Sequence, residues 1–107
     1  MSNMDKIQQL IKDNPTKFSA EFPQWISENE QIFRRFAIEA IKIKLRGFKH
    51  YSSRTIVEFL RHHTNLRETS GGFKINDHSV PYLARLFDLM YPEHKGLFEY
   101  RKLGVKK

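Results

Sequence analysis

The sequence has no cysteine and no long hydrophobic run. The absence of cysteine excludes disulfides, thiolate metal sites and cysteine nucleophiles, and it fits a reducing compartment. The N-terminal stretch MSNMDKIQQL lacks the basic-then-apolar order of a secretory signal, and the apolar runs are too short for a transmembrane helix. We therefore expect a soluble, cytoplasmic protein.

Carboxylates are also scarce, and their scarcity is uneven along the chain. The sequence has 19 Lys and Arg against 12 Asp and Glu, a net charge of +7, yet residues 1–30 carry three basic and five acidic side chains. The remaining 77 residues therefore hold 16 basic and seven acidic side chains, a net charge of +9. A basic body favours a polyanionic partner, because neutralising phosphates releases counterions. The alternative is that the charge serves solubility alone.

The hydrophobic content is sufficient for one packed core. Hydrophobic residues make up 39% of the 107 residues and aromatic residues 13%, which predicts a single folded domain. Apolar residues at spacings of three and four predict helices at 5–13, at 28–46, from 53 to about 63, and from Val80 to before Pro92. A further helix is expected to start at Pro23 and to break near residue 28, with Ser27 as the cap of the next helix through its spacing from Glu30.

Short extended segments are predicted between and after these helices. Residues 48–51, 73–75 and 97–103 have the alternation or composition of strands, and Ser52 or Ser53 is expected to cap the helix that follows the first of them. Ser79 is the expected cap of the last helix, and residues 64–72 have the composition of a loop.

This order of elements resembles a winged helix-turn-helix domain over residues 30–103. The resemblance implies a mainly α fold with a small β element (α+β), in which a three-helix core carries two or three short strands. It divides the chain into an N-terminal appendage with a short helix (1–22), the winged-helix-like domain (23–103) and a basic tail (104–107). In such domains the third helix offers its outer face to the DNA major groove.

Four motifs resemble a family of small uncharacterised phage and prophage proteins. They are HYSSRTIVEFLR (50–61), GGFKIND (71–77), PYLARLF (81–87) and, after Pro92 and Gly96, FEYR (98–101). The resemblance implies a mobile-element setting, and it names no catalytic residue.

Basic and polar side chains concentrate at two places that we predict as a DNA interface. Between residues 34 and 54 there are seven basic residues and one acid, Glu39. The start and the outer face of the last helix add donors and acceptors suited to phosphates or base edges. The predicted nucleic-acid-binding residues are Arg34, Arg35, Lys42, Lys44, Arg46, Lys49, Arg54, Lys74, Asn76, His78, Ser79, Tyr82, Arg85, Arg101 and Lys102. The alternative for the helical cations is a solvated face on which Glu39 bridges Arg35 and Lys42.

The remaining patterns favour a protein without enzymatic activity, metal or cofactor. The five histidines have no metal-ligand spacing, and no phosphate-binding glycine loop or nucleophile elbow is present. A metal-dependent nuclease would have to use Asp77, His78 and Glu99. A module that binds or inhibits a host protein is the second hypothesis, and an exposed apolar patch around Phe18, Phe22 and Trp25 would favour it.

Overall fold

Five α-helices make up most of the described chain. The structure is a computed structural model, and it describes residues 3–48, 50–64, 80–94 and 96–98. Helix α1 spans Asn3–Asp13, α2 Phe22–Glu28, α3 Glu30–Leu45, α4 Ser53–His63 and α5 Val80–Met90. Short 3-10 turns follow α1 and α5, at Pro15–Lys17 and Pro92–His94. These bounds confirm the helices that the apolar periodicity predicts.

Local signals account for several helix ends. Pro23 lies in the first turn of α2, where its missing N–H is not needed. Ser52 caps α4, because its side chain accepts a hydrogen bond from the Thr55 N–H. The prediction that Ser27 caps α3 is wrong: its hydroxyl donates to the Gln24 carbonyl. Asn29 occupies the junction between α2 and α3.

Gly47 ends α3 and sets the direction of the following turn. Its φ of +96° lies in the left-handed region, which only glycine adopts at little cost. Its N–H donates to the Lys44 carbonyl, so that one of the last carbonyls of the helix is satisfied. The chain therefore leaves the helix axis immediately before Phe48.

Helix α5 lies at the centre of the described structure, where it contacts α1, α3 and α4. Five of its residues are buried, and Pro81 is its only exposed residue. Phe87 lies with Phe36 and Phe98 in an aromatic group whose ring centroids are 5.5 to 6.4 Å apart. Ile7 and Ile11 of α1 belong to the same buried cluster.

The predicted strands do not form where the structure describes them. Within those residues the only extended pairing is one isolated parallel bridge, between Tyr51 and Phe98. The bridge cannot continue as a strand beyond Tyr51, because the next residue, Ser52, already caps α4. Leu97 and Phe98 are both buried, which is incompatible with the alternating exposure of a two-faced strand. The predicted strand at 73–75 and residues 99–103 lie outside the described residues.

The predicted winged helix-turn-helix fold is therefore wrong. The described chain is mainly helical and contains no strand or sheet, whereas that fold needs two or three strands. Its three-helix core is also replaced by a core to which all five helices contribute. The physical reason is that α1 packs against α5 and α2 against α3, so that both N-terminal helices bury apolar surface in the same core.

Candidate nucleic-acid interface

The outer face of α3 carries cations that are partly neutralised one helical turn away. Arg34 Nη2 lies 3.2 Å from Glu30 Oε2. Glu39 Oε2 lies 3.1 Å from Arg35 Nε and 3.8 Å from Lys42 Nζ. Glu39 thus bridges Arg35 and Lys42, as the alternative interpretation of this face requires. Exposed pairs of this kind contribute only about 0.2–1 kcal/mol each, so a phosphate can compete with these carboxylates.

Lys44 and Arg46, at the C-terminal end of α3, differ from the preceding cations. Neither forms an ion pair with a carboxylate of the described chain. Arg46 is exposed and Lys44 is half-buried. Among the described residues no acid balances their charges, and we name them the α3 cation pair.

A surface cleft of about 370 Å³ lies just after the α3 cation pair, lined by His50, Tyr51, Ser52, Ser53 and Arg54. The Tyr51 N–H donates to the Leu97 carbonyl at 2.8 Å, which attaches this wall of the cleft to the core. Because α4 begins at Ser53, the cleft lies at the N-terminal end of that helix. Backbone N–H groups in the first turn favour anions through their orientation and the helix dipole.

One acidic residue limits the positive charge of this region. Glu58 accepts a hydrogen bond from Arg61 at 2.7 Å and lies 3.1 Å from His62 Nε2. Arg54 Nη1 is 3.9 Å from the same carboxylate. Arg54, which lines the cleft, is therefore partly neutralised by a residue on its own helix.

The predicted interface residues of the last helix take part in internal packing. The Tyr82 ring lies 5.4 Å from Phe22 and 6.3 Å from Phe18, measured between centroids. Arg85 Nη1 donates to the Lys17 carbonyl at 2.9 Å, and its guanidinium carbon is 5.7 Å from the Tyr82 ring centre. Both side chains attach α5 to the segment between α1 and α2. The structure therefore does not bring Tyr82 and Arg85 together with the α3 cation pair.

Several predicted residues lie outside the described part of the chain. For the DNA interface these are Lys49, Lys74, Asn76, His78, Ser79, Arg101 and Lys102. All three residues considered for a nuclease, Asp77, His78 and Glu99, also lie outside it.

The apolar surface differs from the one that the second hypothesis requires. Phe18 and Phe22 are buried and Trp25 is half-buried, and the Phe22 ring lies 5.3 Å from Phe18 and 5.8 Å from Trp25. These rings fill the contact between the N-terminal helices and α5, so they form no exposed patch.

The large apolar residues that are exposed lie on α3 and α4 and in the turn between them. They are Ile38 (45% exposed), Leu45 (76%), Phe48 (47%) and Phe59 (41%). Sequence reasoning missed Leu45 and Phe48 as surface residues, because it assigned one to the core sector of a helix and the other to a strand. Gly47 marks the end of the helix in the sequence, but it does not show which of the apolar residues near it are exposed.

A metal site and a membrane-spanning helix each place requirements on the described residues. No three His, Asp or Glu side chains of that part of the chain are grouped so as to hold a metal ion. No described helix combines the length and the hydrophobicity that crossing a bilayer requires.

Comparison of the chain with protein-family models, with curated protein sequences and with solved structures gives no significant match. The resemblance to phage proteins therefore stays a prediction.

Proposed function

We propose that the protein is a small non-enzymatic DNA-binding protein. Its interface is the α3 cation pair together with the cleft at the N-terminal end of α4, which follows the pair in the chain. A role as a regulator or accessory factor of a phage or mobile element, acting in the cytoplasm, is part of this proposal and derives from the sequence motifs alone.

The observation that carries the proposal is the pairing state of the cations. Arg34, Arg35 and Lys42 have carboxylates within 4 Å, whereas Lys44 and Arg46 have none in the described chain. Cations that have no carboxylate partner among the described residues are suited to phosphate groups, which combine charge with several acceptor oxygens. The helix N-terminus that follows them in the chain also favours anions. The excess of basic residues after residue 30 adds a long-range attraction to the same partner.

The direct test measures binding of a labelled short DNA to the wild type and to the double variant Lys44→Gln/Arg46→Gln over a salt series. If both side chains neutralise phosphates, the double variant binds more weakly, and the slope of log K against log salt becomes shallower by about 2 units. Fluorescence anisotropy gives both quantities.

The matched control is Lys12→Gln/Lys17→Gln, which removes the same charge from exposed positions at the end of α1 and in the following 3-10 turn. This control should keep most of the affinity and nearly the whole slope. Equal losses in the two double variants would mean that only net charge matters, and no binding at low salt would end the proposal.

A variant that gains affinity gives an independent test, because misfolding does not produce a gain. Glu58→Gln removes the carboxylate that holds Arg54 and should strengthen DNA binding at low salt. Glu28→Gln, which changes the charge equally at an exposed position of α2, is the control. Equal effects of the two variants would contradict a localised interface.

A protein partner is the second candidate function, and the exposed face of α3 favours it. Ile38 and Leu45 are seven residues apart and therefore share one side of the helix, with Arg34 and Lys42 beside them. An acidic protein surface with an apolar centre would complement this face. Ile38→Ser would weaken such a complex and leave DNA binding unchanged, which separates the two functions.

A further inference from the structure

The turn between α3 and α4 carries an aromatic ring that the proposed phosphate contacts do not use. Phe48 follows Gly47 directly and keeps 47% of its surface in solvent. Its ring lies 5.6 Å from that of Tyr51, and the two ring planes are 73° apart. An edge-to-face contact of this kind leaves ring surface available for a further aromatic partner.

Phe48 is held in place although it is exposed. Tyr51 is attached to the core by its N–H bond to the Leu97 carbonyl, and the Phe48 ring packs against it. Gly47, on the other side, has the positive φ that ends α3 directly before the ring. A ring that is already oriented loses little conformational entropy when a ligand stacks on it.

A cation and a cleft lie close to Phe48 along the chain, and Tyr51, whose ring Phe48 contacts, lines that cleft. Arg46, which has no carboxylate partner in the described chain, is two residues before Phe48. The cleft that begins two residues after it measures about 370 Å³, within the roughly 300–1,000 Å³ of small-ligand pockets. Leu45, 76% exposed, is a further apolar side chain three residues before Phe48.

An exposed aromatic ring close in the sequence to a cation can discriminate between two forms of DNA. In a duplex the base faces are stacked on one another, and only phosphates and groove edges are available. In a single strand the base faces are free, and proteins that bind single strands combine a cationic track with aromatic side chains.

Resting on the proposed function, we infer that the DNA bound at this site is single-stranded: one base stacks on Phe48 while neighbouring phosphates contact Arg46 and the cleft at the N-terminal end of α4. Base stacking tolerates any sequence, since every base has a π face. Little sequence preference is therefore expected.

The test compares a labelled oligothymidylate with the duplex of the same length, using the full chain and the variants Phe48→Ala, Phe48→Leu and Phe48→Tyr. The wild type should bind the single strand more tightly than the duplex. Phe48→Ala should weaken single-strand binding about 5- to 150-fold, the equivalent of one lost stack. Its salt slope should stay unchanged, because no charge is removed.

The conservative variants separate stacking from simple apolar contact. Phe48→Tyr should keep single-strand affinity and Phe48→Leu should lose most of it, since leucine is apolar but has no π face. Leu45→Ala removes an apolar side chain that is more exposed than Phe48, and it should have a smaller effect. Far-UV circular dichroism of each variant verifies that it is folded.

Three outcomes would overturn the inference. Duplex bound as tightly as the single strand would refute it and leave the proposed DNA binding in place, with Phe48 then a candidate wedge between base pairs. Unchanged single-strand affinity in Phe48→Ala would refute the stack alone. Failure to bind either DNA would remove the proposed function as well.

Discussion

Asn29 is the one polar residue that is buried in the described chain, with 1% of its surface exposed. It occupies the short junction between α2 and α3, where both helix ends need hydrogen-bond partners. Its side-chain amide donates to the Trp25 carbonyl at 2.9 Å, and its backbone carbonyl accepts from the Ile32 N–H at 3.0 Å. This single residue therefore serves the end of one helix and the beginning of the next.

Replacing Asn29 with Ala should lower the free energy of unfolding by about 1–3 kcal/mol, because the Trp25 carbonyl loses a donor in a place that water does not readily reach. Urea unfolding measures the change. Gln24→Ala is the control: that side chain is exposed and bonds only to Glu28 in the described contacts, so the expected change is within about 0.5 kcal/mol. Equal stability of the two variants would show that the junction does not depend on the Asn29 amide.

At the same scale, Arg85 shows why a residue type alone does not assign a binding role. A guanidinium on the polar side of an amphipathic helix has the chemistry for DNA, and equally for capping a backbone carbonyl. Here it donates to the Lys17 carbonyl, 68 positions away along the chain. No local pattern contains a partner at that distance, so the sequence could not show that this side of α5 packs against the segment between α1 and α2.

At the scale of elements, the N-terminal end of α4 contributes both to the stability of the helix and to the proposed binding surface. Ser52 caps the helix through the Thr55 N–H at 3.3 Å, and the same serine lines the proposed DNA cleft. Stability and binding can be separated here, because Asp is as good a cap as Ser but carries a negative charge.

Ser52→Ala should cost about 0.5–2 kcal/mol of stability, whereas Ser52→Asp should retain the stability of the wild type. In DNA binding the order is reversed: Ser52→Asp should bind weakly because its carboxylate repels phosphates, and Ser52→Ala should bind nearly as the wild type does. Thermal unfolding and anisotropy on the same preparations measure both. Ser53→Ala, at the first helical position, is the stability control, and a Ser52→Asp variant with undiminished binding would place the DNA elsewhere.

Across the whole molecule, the features that the sequence predicts correctly are those set by residues close together along the chain. Helices α3, α4 and α5 were predictable because their period, Ser52 and Gly47 act within a few residues. The wing was not, because strand formation at residues 48–51 depends on distant pairing, and only the Tyr51–Phe98 bridge is present in the described chain. The cations of the candidate site were predictable as a set, and the Glu39 bridge between Arg35 and Lys42 could be named as an alternative because it is local to the helix. The contact of Arg85 with the Lys17 carbonyl could not, because it joins distant parts of the chain.

The contact of the N-terminal helices with α5 decides whether the chain unfolds as one unit. Ile7 is 1% exposed and lies in the common core, and Gln8 of α1 donates to the Pro23 carbonyl of α2 at 2.9 Å. Trp25, the only tryptophan, therefore reports on this N-terminal part, whereas circular dichroism reports on all helices.

We expect urea unfolding curves from Trp25 fluorescence and from far-UV circular dichroism to coincide, as they do in a two-state transition. Ile7→Ala should shift both midpoints together and cost about 2–5 kcal/mol, a large share of the roughly 5–15 kcal/mol of a small domain. Leu10→Ala, at a half-buried position of the same helix, should cost less. If residues 1–22 instead behave as an appendage, the fluorescence curve will move alone while the dichroism curve keeps its midpoint, because the core formed by α3, α4 and α5 would then not depend on α1.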